Sequence, residues 1–203
     1  MLKTLLAASL AAIAFSAPAS AQAPSATYLV DKTHASLTWK LTHQGLSNYT
    51  ARFTSFDAEL FFNEADVSKS KLTVKVDPKT VETDFAKTRP AGNTTDFNDE
   101  IASGANFMNS AKFPSITFVS KSISKTGEKT GKLTGDLTFL GVTKPVTLDV
   151  IYVGNRNDPR ANKHKIGFSA TGKIKRSDFG MKYGIPMIGD DVQLMIEAEF
   201  VQK

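Results

Sequence analysis

The chain has three histidines, and these are the first residues whose chemistry could define a site. His34 lies three residues after Asp31, His43 ends an alternating apolar run, and His164 lies in a basic stretch. Zinc sites need three or four His, Cys or carboxylate ligands at defined spacings, and the sequence shows no such cluster. We therefore expect no metal site. We expect a structural hydrogen bond for His34, a place near a ligand headgroup for His43, and solvent around His164.

Two arginines could bind a phosphate or a carboxylate, because the guanidinium group offers a planar fork of donors. Arg52 lies on the polar phase of its strand pattern, which predicts a surface ion pair with Asp57 or Asp178. Arg176 opens the turn R-S-D-F-G, residues 176 to 180. Two roles stay open for Arg176: an ion pair, or a contact with a ligand headgroup.

Catalytic motifs are absent from the sequence. It contains no G-x-S-x-G, no H-E-x-x-H and no phosphate-binding loop. Asp190 and Asp191 form a carboxylate pair, but neighbours in a glycine-led turn point apart, which indicates a solvated turn. An enzyme needs a convergent acid, base or nucleophile. We therefore predict no catalytic residue and no enzymatic activity.

Composition excludes further classes of function. The chain has no cysteine, which excludes disulfides, thiolate chemistry and cysteine-bound metals. Its net charge is +5, but the Lys and Arg residues are scattered among Asp, Glu and Thr. Nucleic-acid binding requires clustered cations on one surface, so we expect no nucleic-acid partner.

The first 21 residues have the pattern of a secretory signal peptide. Lys3 precedes an Ala-rich apolar run that ends in Ala19-Ser20-Ala21, a small-x-small cleavage site. Cleavage after Ala21 would leave residues 22–203 as one exported, periplasmic domain. No later segment offers the roughly 18 consecutive apolar residues of a membrane-spanning helix.

The rest of the chain alternates apolar and polar residues, which is typical of strands with one buried face. We count about eight strands, with turn signals between them. A phase slip at Thr54-Ser55 predicts a β-bulge. One segment breaks the rhythm and predicts a short helical insertion over about 96–109, capped by Asp96 and ended by Gly104.

Eight antiparallel strands with one apolar face can form two packed sheets or one closed barrel. We favour the barrel because closure removes exposed edges. Small inward residues, Gly135, Ala170 and Gly172, are expected to leave the lumen unfilled. A membrane barrel with its apolar face turned outward would show the same alternation, but one Trp and four Tyr do not make aromatic girdles. The predicted lumen residues are Leu37, Trp39, Leu41, Phe53, Phe107, Met108, Phe118, Leu137, Phe139, Phe168, Ile174 and Phe179.

Five stretches carry a family likeness. In order along the chain, they are residues 28–47, 97–120, 133–148, 176–180 and 189–192. Together they resemble the YceI-like family of exported lipid-binding proteins, over nearly all of residues 22–203. The chain departs from the pattern at Phe107-Met108-Asn109, where many relatives have Phe-Phe-Asp or Trp-Phe-Asp.

The resemblance implies a lipocalin-like antiparallel barrel in the periplasm, with a long isoprenoid or related lipid in its channel. It also suggests a membrane cytochrome b561-type partner and therefore quinone-related guests. Our leading hypothesis is binding, transport or sequestration of a polyprenyl phosphate or an isoprenoid quinone, with His43 and Arg176 near the headgroup and no cofactor besides this guest. The alternatives are an integral outer-membrane barrel and an enzyme acting on a bound prenyl lipid. A homodimer through the helical insertion is a further expectation.

Overall fold

The computed structural model describes residues 22–85 and 90–203, so the predicted signal peptide lies outside the described residues. Ten strand segments form one antiparallel sheet. Their bounds are β1 Ala26–His43, β2 Ser47–Phe53, β3 Phe56–Phe62, β4 Lys71–Val76, β5 Val81–Thr83, β6 Ile116–Lys125, β7 Thr130–Phe139, β8 Val142–Asp158, β9 Lys163–Lys175 and β10 Asp191–Gln202. Helix α1 spans Phe97–Ser103, and short 3-10 turns span Val67–Lys69, Pro78–Thr80 and Arg176–Phe179. Within this described part, no helix is long and apolar enough to cross a bilayer.

The sheet closes into a barrel. Its strand order is β10-β9-β8-β7-β6-β4-β3-β1-β2-β5, and β1 also pairs with β10. The long strand β1 pairs with β2 through its second half and with β3 through its first residues, so β2 and β3 are two halves of one strand. In the same way, β4 pairs with β3 while β5 pairs with β2. The ten segments are therefore eight strands around a closed antiparallel barrel, which confirms the predicted fold.

The slip predicted at Thr54-Ser55 is the break between β2 and β3. The Thr54 amide donates to the carbonyl of Thr80 at 3.0 Å, and the Asp77 amide donates to Ser55 at 3.4 Å. The neighbouring strand breaks at the same level, where the 3-10 turn Pro78–Thr80 separates β4 from β5. Both strands therefore bend together, and their apolar side chains stay on the inner face.

Helix α1 begins and ends where the sequence predicts. The Asp96 carboxylate accepts hydrogen bonds from the amides of Asn98 and Asp99 at 3.0 and 3.1 Å, and the Gly104 amide donates to Glu100 at 2.9 Å. The helix is shorter than the predicted insertion, because residues after Gly104 form turns. Asn98 accepts from both the amide and the hydroxyl of Thr83, which ties α1 to β5.

We call the end of the barrel that carries α1, the β1–β2 turn and residues 180–190 the helical end. There His43 forms a bridge with Ile188, and the Gln44 amide donates to the carbonyl of Met187 at 2.6 Å. The opposite end is packed with rings of Phe62, Tyr152, Phe168 and Phe200, whose neighbouring centroids lie 5.3–6.1 Å apart. The barrel is therefore closed by side chains at the end away from α1.

Two inward glycines do not leave the lumen open, contrary to expectation. A Cβ added at Gly135 would lie 2.5 Å from Cζ of Phe118, and one added at Gly172 would overlap Cδ2 of Leu148. Cross-strand side chains therefore fill the space above both glycines. The expectation was wrong for these two positions because strand register, which sequence alternation does not give, sets the neighbour of each glycine. Ala170 does line the lumen.

Candidate ligand-binding site

The barrel interior contains a cavity of about 530 Å³ with an almost wholly apolar lining. The lining runs from His43 and Ile188 at the helical end to Leu60 and Phe200 at the opposite end. Residues of every strand segment except β5 contribute to it, mostly at alternate positions, because successive side chains point to opposite faces of a sheet. A cavity of this volume lies within the range of small-molecule sites.

Nearly all of the predicted lumen residues line this cavity. They are Leu37, Trp39, Leu41, Phe53, Phe107, Met108, Phe118, Leu137, Phe139, Phe168 and Ile174, and both His43 and Arg176 join them. Phe179 differs, because the turn Arg176–Phe179 directs it into the core beside the cavity. Its ring is 2% exposed and packs against Phe139 with centroids 5.8 Å apart.

Sequence reasoning missed several lining residues at the helical end. Phe85, Phe97 and Glu100 line the cavity, and the Phe85 and Phe97 rings meet edge to face at 4.3 Å. These residues flank or belong to α1, outside the strand alternation. The apolar i and i+4 spacing of Phe97 and Ile101 was the available signal, since it marks the face of the helix that turns inward.

Arg176 holds the loop that covers the helical end. It is 2% exposed, and four hydrogen bonds run from its guanidinium to backbone carbonyls. Nε donates to Gly189 at 2.8 Å, Nη1 to Met181 at 3.3 Å, and Nη2 to Tyr183 at 2.8 Å and Ile188 at 2.6 Å. A guanidinium group has five N–H donors, so most of its capacity is used within the loop. The headgroup role of Arg176 stays a prediction.

Asp190 supports the same turn. It accepts hydrogen bonds from the Ser177 amide at 2.9 Å and hydroxyl at 2.8 Å. Burial acts to raise the pKa of Asp190, but the bonds from Ser177 and the charges of Lys175 and Arg176 hold it below its usual value. Burial lowers the pKa of Arg176, and the Asp190 charge opposes that change. The turn that contains Asp190 and Asp191 was predicted to be solvated, but it is half-buried. The bonds between Asp190 and Ser177 join residues 189–191 to residues 176–180.

Two polar atoms inside the barrel have no partner. Among residues 22–85 and 90–203, Trp39 Nε1 and Tyr49 Oη are the buried side-chain polar atoms without a hydrogen bond. Both residues line the cavity, and their rings lie 6.4 Å apart. The His43 ring lies 6.3 Å from Tyr49 on the side of the helical end.

A polar network closes the opposite end. Glu64 accepts from the Ala23 amide at 2.6 Å and from the Tyr152 hydroxyl at 3.2 Å. Asn155 donates to the Tyr152 hydroxyl at 2.8 Å and meets His164 Nε2 at 2.9 Å. Burial, with the Glu64 charge, raises the pKa of Tyr152 to about 12 although the Asn155 bond opposes it. His164 is thus half-buried and hydrogen-bonded, so the expectation of a solvated side chain was wrong.

Outside the cavity lining, the chain brings together Asp31, His34 and Glu199. One possible ligand atom of each lies within 4.8 Å of the others, a cluster that sequence spacing did not reveal because Glu199 belongs to β10. The Lys165 ammonium lies 3.2 Å from Asp31 and 3.8 Å from Glu199, where it balances their charge. The hydrogen bond predicted for His34 is present: Nδ1 lies 3.0 Å from Asp31 and 2.9 Å from the Thr33 hydroxyl.

Arg52 forms the predicted surface ion pair with a different partner. Its guanidinium pairs with Glu82 on β5, the strand next to β2, instead of Asp57 or Asp178. Arg52 and Glu82 lie directly opposite each other in the register of these two strands.

Comparison with known proteins agrees with this architecture. The YceI-like domain model matches residues 28–200. The Escherichia coli protein YceI is 36% identical over 205 residues, with all of both chains covered. The crystal structure of the Campylobacter jejuni YceI protein superposes with a TM-score of 0.68, and its sequence is 33% identical to this one. The alignment covers 80% of this chain and 90% of the Campylobacter jejuni chain.

A more distant structure shares the fold alone. It is a polyisoprenoid binding domain from Saccharophagus degradans implicated in plant cell wall breakdown. Its sequence is 14% identical to this one, its TM-score is 0.62, and the alignment covers 87% of this chain and 98% of that domain. The match over residues 28–200 and the full-length identity are the stronger findings. These two findings show that this chain belongs to the YceI-like family.

Proposed function

We propose that the protein carries or sequesters one long isoprenoid-type lipid in the lumen of its barrel. The observation behind this proposal is the apolar cavity of about 530 Å³ that extends along the barrel between its two ends. On β10 alone, lining residues run from Val192 to Phe200, which is roughly 26 Å of strand at about 3.3 Å per residue. Such a lumen suits a long, narrow, apolar guest.

Burial of the guest supplies the affinity. Each CH2 group moved from water into the lumen contributes about 0.8 kcal/mol. Ten such groups would contribute about 8 kcal/mol before the cost of association, which is about 4–15 kcal/mol. Longer apolar chains gain binding free energy in proportion to the number of CH2 groups buried, so chain length should affect the affinity more than the headgroup does.

The isoprenoid class and the setting come from the family resemblance. The polyisoprenoid for which the Saccharophagus degradans domain is named is one candidate guest, and an isoprenoid quinone is another. The periplasmic location follows from the cleavage pattern at Ala19-Ser20-Ala21. A membrane cytochrome b561-type partner and a homodimer belong to the same proposal.

The outward faces of the strands argue against the outer-membrane alternative. Charged pairs stand on them, including Lys121 with Asp136 at 2.8 Å and Lys173 with Asp191 at 2.6 Å. A membrane barrel needs an apolar outer band and tolerates charges on its lipid face poorly. Here the apolar residues line the lumen instead.

Native mass spectrometry of protein recovered from its own cell envelope without detergent tests the proposal. We expect one bound lipid per chain. Ala170→Phe should reduce lipid occupancy because Ala170 lines the cavity. Thr171→Phe adds the same ring on the next, exposed residue of β9 and should not. Empty wild-type protein, under conditions that preserve noncovalent lipid, would contradict the proposal.

The enzyme alternative has a separate test. A prenyl lipid incubated with the protein and then extracted should be recovered chemically unchanged. Turnover that disappears on substitution of His43 would replace the carrier proposal with a catalytic one.

A further inference from the structure

We propose that the protein docks on the surface of a lipid bilayer through an apolar rim at the helical end, and that it exchanges its guest there. The apolar rim consists of Leu46 at the end of the β1–β2 turn and of Tyr183, Ile185 and Met187 in the loop of residues 180–190. Docking gives the proposed carrier access to its guest, so this proposal rests on the proposed function. The rim lies on the outer surface of the protein, and docking does not span the bilayer.

The apolar rim exposes large apolar side chains to solvent. Leu46 is 85% exposed, Met187 58%, Tyr183 52% and Ile185 38%. Single exposed apolar residues are common on protein surfaces, but contiguous ones mark interaction sites. Tight turns favour Gly, Asn, Asp and Ser, so a leucine at the end of the β1–β2 turn is unexpected unless a further surface covers it.

Backbone hydrogen bonds join the two loops of the apolar rim into one surface. The Gln44 amide donates to the Met187 carbonyl at 2.6 Å, and the Gly189 amide donates to the Thr42 carbonyl at 2.7 Å. Because these bonds run between backbones, they hold the two loops side by side whatever side chains the loops carry. Leu46, two residues after Gln44, therefore shares one surface with Met187.

The apolar rim borders the end at which the cavity lining reaches solvent. Tyr183 packs edge to face against Phe107, a lining residue, with ring centroids 5.4 Å apart. Glu100, another lining residue, is exposed at this end. At the opposite end, the lining residues Phe62 and Phe200 are buried. We therefore expect the guest to pass through the helical end, next to the apolar rim.

A lipid bilayer fits the apolar rim better than a protein partner does. A stable protein interface uses about 20–30 residues on each side, whereas the rim has four large apolar residues. Shallow insertion needs no complementary surface, because lipid tails adapt to the side chains that enter them. Tyrosine favours membrane interfaces, where its ring lies in apolar surroundings and its hydroxyl group lies in water. A bilayer is also where a long apolar guest dissolves, since water excludes it.

Burial of apolar surface, and not charge, is the expected source of the attraction. Exposed charges of both signs stand at the helical end, among them Lys112, Lys182, Asp99, Glu100 and Asp178. Attachment by charge relies on clusters of about four to eight Lys and Arg residues beside an anionic surface. We therefore expect docking on phosphatidylcholine, which has no net charge, and little dependence of docking on salt.

Co-sedimentation with phosphatidylcholine vesicles tests the docking. The protein is recovered from its own cell envelope without detergent and shown by mass to lack residues 1–21, whose apolar run would itself bind vesicles. We expect the wild type to sediment with the vesicles at low and at high salt. Leu46→Ser should lower the partition coefficient about tenfold, because the leucine no longer gains from burial. The double variant Leu46→Ser with Met187→Ser should lower it further.

The double variant Ile151→Thr with Val153→Thr is the matched control. Ile151 and Val153 are exposed apolar residues, at 50% and 59%, on the part of β8 that lies away from the helical end. This control removes two exposed apolar side chains, as the rim variant does, and should bind vesicles as tightly as the wild type. Equal losses in both double variants would contradict docking through the apolar rim.

A fluorescent label locates the contact directly. Because the chain has no cysteine, Leu46→Cys provides a single thiol for an environment-sensitive fluorophore on the apolar rim. Vesicles should shift the emission of this label to shorter wavelength as the label leaves water. The same label on Ile151→Cys should not respond. A shift of both labels, or of neither, would overturn docking through the rim.

The remaining outcomes separate docking from lipid carriage. Wild type that holds a lipid but does not bind vesicles would overturn docking and leave the carrier proposal intact. Vesicle binding by protein that never holds a lipid would overturn the carrier proposal and leave docking intact. Binding that requires phosphatidylglycerol and low salt, and that survives Leu46→Ser, would overturn the apolar rim in favour of attachment by charge. Dimers that depend on Leu46 in analytical ultracentrifugation, without vesicle binding, would overturn docking by assigning the rim to a second copy.

Discussion

Leu148 and Gly172 face each other across β8 and β9, and Cδ2 of Leu148 occupies the place that a Cβ at position 172 would take. The Leu148 side chain, which lines the cavity, therefore lies over Gly172. The space above this glycine is thus filled by the side chain of its cross-strand neighbour.

Gly172→Ala should narrow the lumen. The added methyl displaces the end of a flexible side chain, so Leu148 should rotate inward at small cost to stability. Loss of room for one or two CH2 groups of the guest predicts a roughly 4- to 14-fold weaker affinity, measured by titration with a long-chain lipid. The double variant Gly172→Ala with Leu148→Ala should restore the room. Unchanged affinity in the single variant would show that Leu148 does not limit the cavity.

Gly135→Ala should act on stability instead. Its Cβ would lie 2.5 Å from the Val119 carbonyl oxygen as well as from the Phe118 ring, and a backbone carbonyl cannot move aside as a side-chain tip can. We expect a loss of about 1–3 kcal/mol in the free energy of unfolding. In thermal denaturation, each kcal/mol lost should lower the melting temperature by about 2–4 °C.

Gly167→Ala is the control for that experiment. Its Cβ would meet the Val153 side chain at an ordinary contact distance of 3.7 Å. Its melting temperature should stay near that of the wild type. Equal losses in both variants would mean that the close approach at Gly135 is not the cause.

Arg176→Lys should destabilise the helical end although it keeps the positive charge. One ammonium cannot reach all of the carbonyls that the guanidinium serves, so buried acceptors lose their donors. Hydrogen bonds to charged groups contribute about 1.5–3 kcal/mol each, and we expect a net loss of about 2–4 kcal/mol. Lys175→Met, which removes exposed ion pairs with Asp190 and Asp191, should cost less than about 1 kcal/mol. If Arg176→Lys were as stable as the wild type, the positive charge alone, and not the set of guanidinium hydrogen bonds, would account for the contribution of Arg176.

The lowered pKa of Asp31 predicts that the free energy of unfolding decreases in acid. The Thr33 hydroxyl bond holds the pKa of Asp31 well below its ordinary 3.8, with burial opposing and His34 and Lys165 assisting. Because the folded pKa is lowered, the stabilisation is complete above the ordinary pKa and is lost as pH falls toward the folded one. Urea denaturation should therefore show wild type more stable than Asp31→Asn at pH 7, with the difference shrinking below about pH 4. A constant difference down to pH 2 would contradict this assignment.

The sequence alone determined the strands, their inward faces and the ends of α1. Each depends on local rules: side chains alternate every residue along a strand, and Asp96 caps a helix through amides two and three residues away. The same alternation identified most of the lining, from Leu37 to Ile174, because a residue keeps its face wherever its strand is placed.

Tertiary structure decided the relationships between strands. Register placed Leu148 over Gly172 and brought Glu199 beside Asp31 and His34. The path of residues 180–190 placed their carbonyls around Arg176. It also buried Trp39 and Tyr49 as neighbours without polar partners. The contacts of Gly172 with Leu148 and of Glu199 with Asp31 join residues far apart in the chain, so they depend on how the whole sheet closes. The others depend on how a turn or a strand pair is folded, and no local pattern of residue types encodes them.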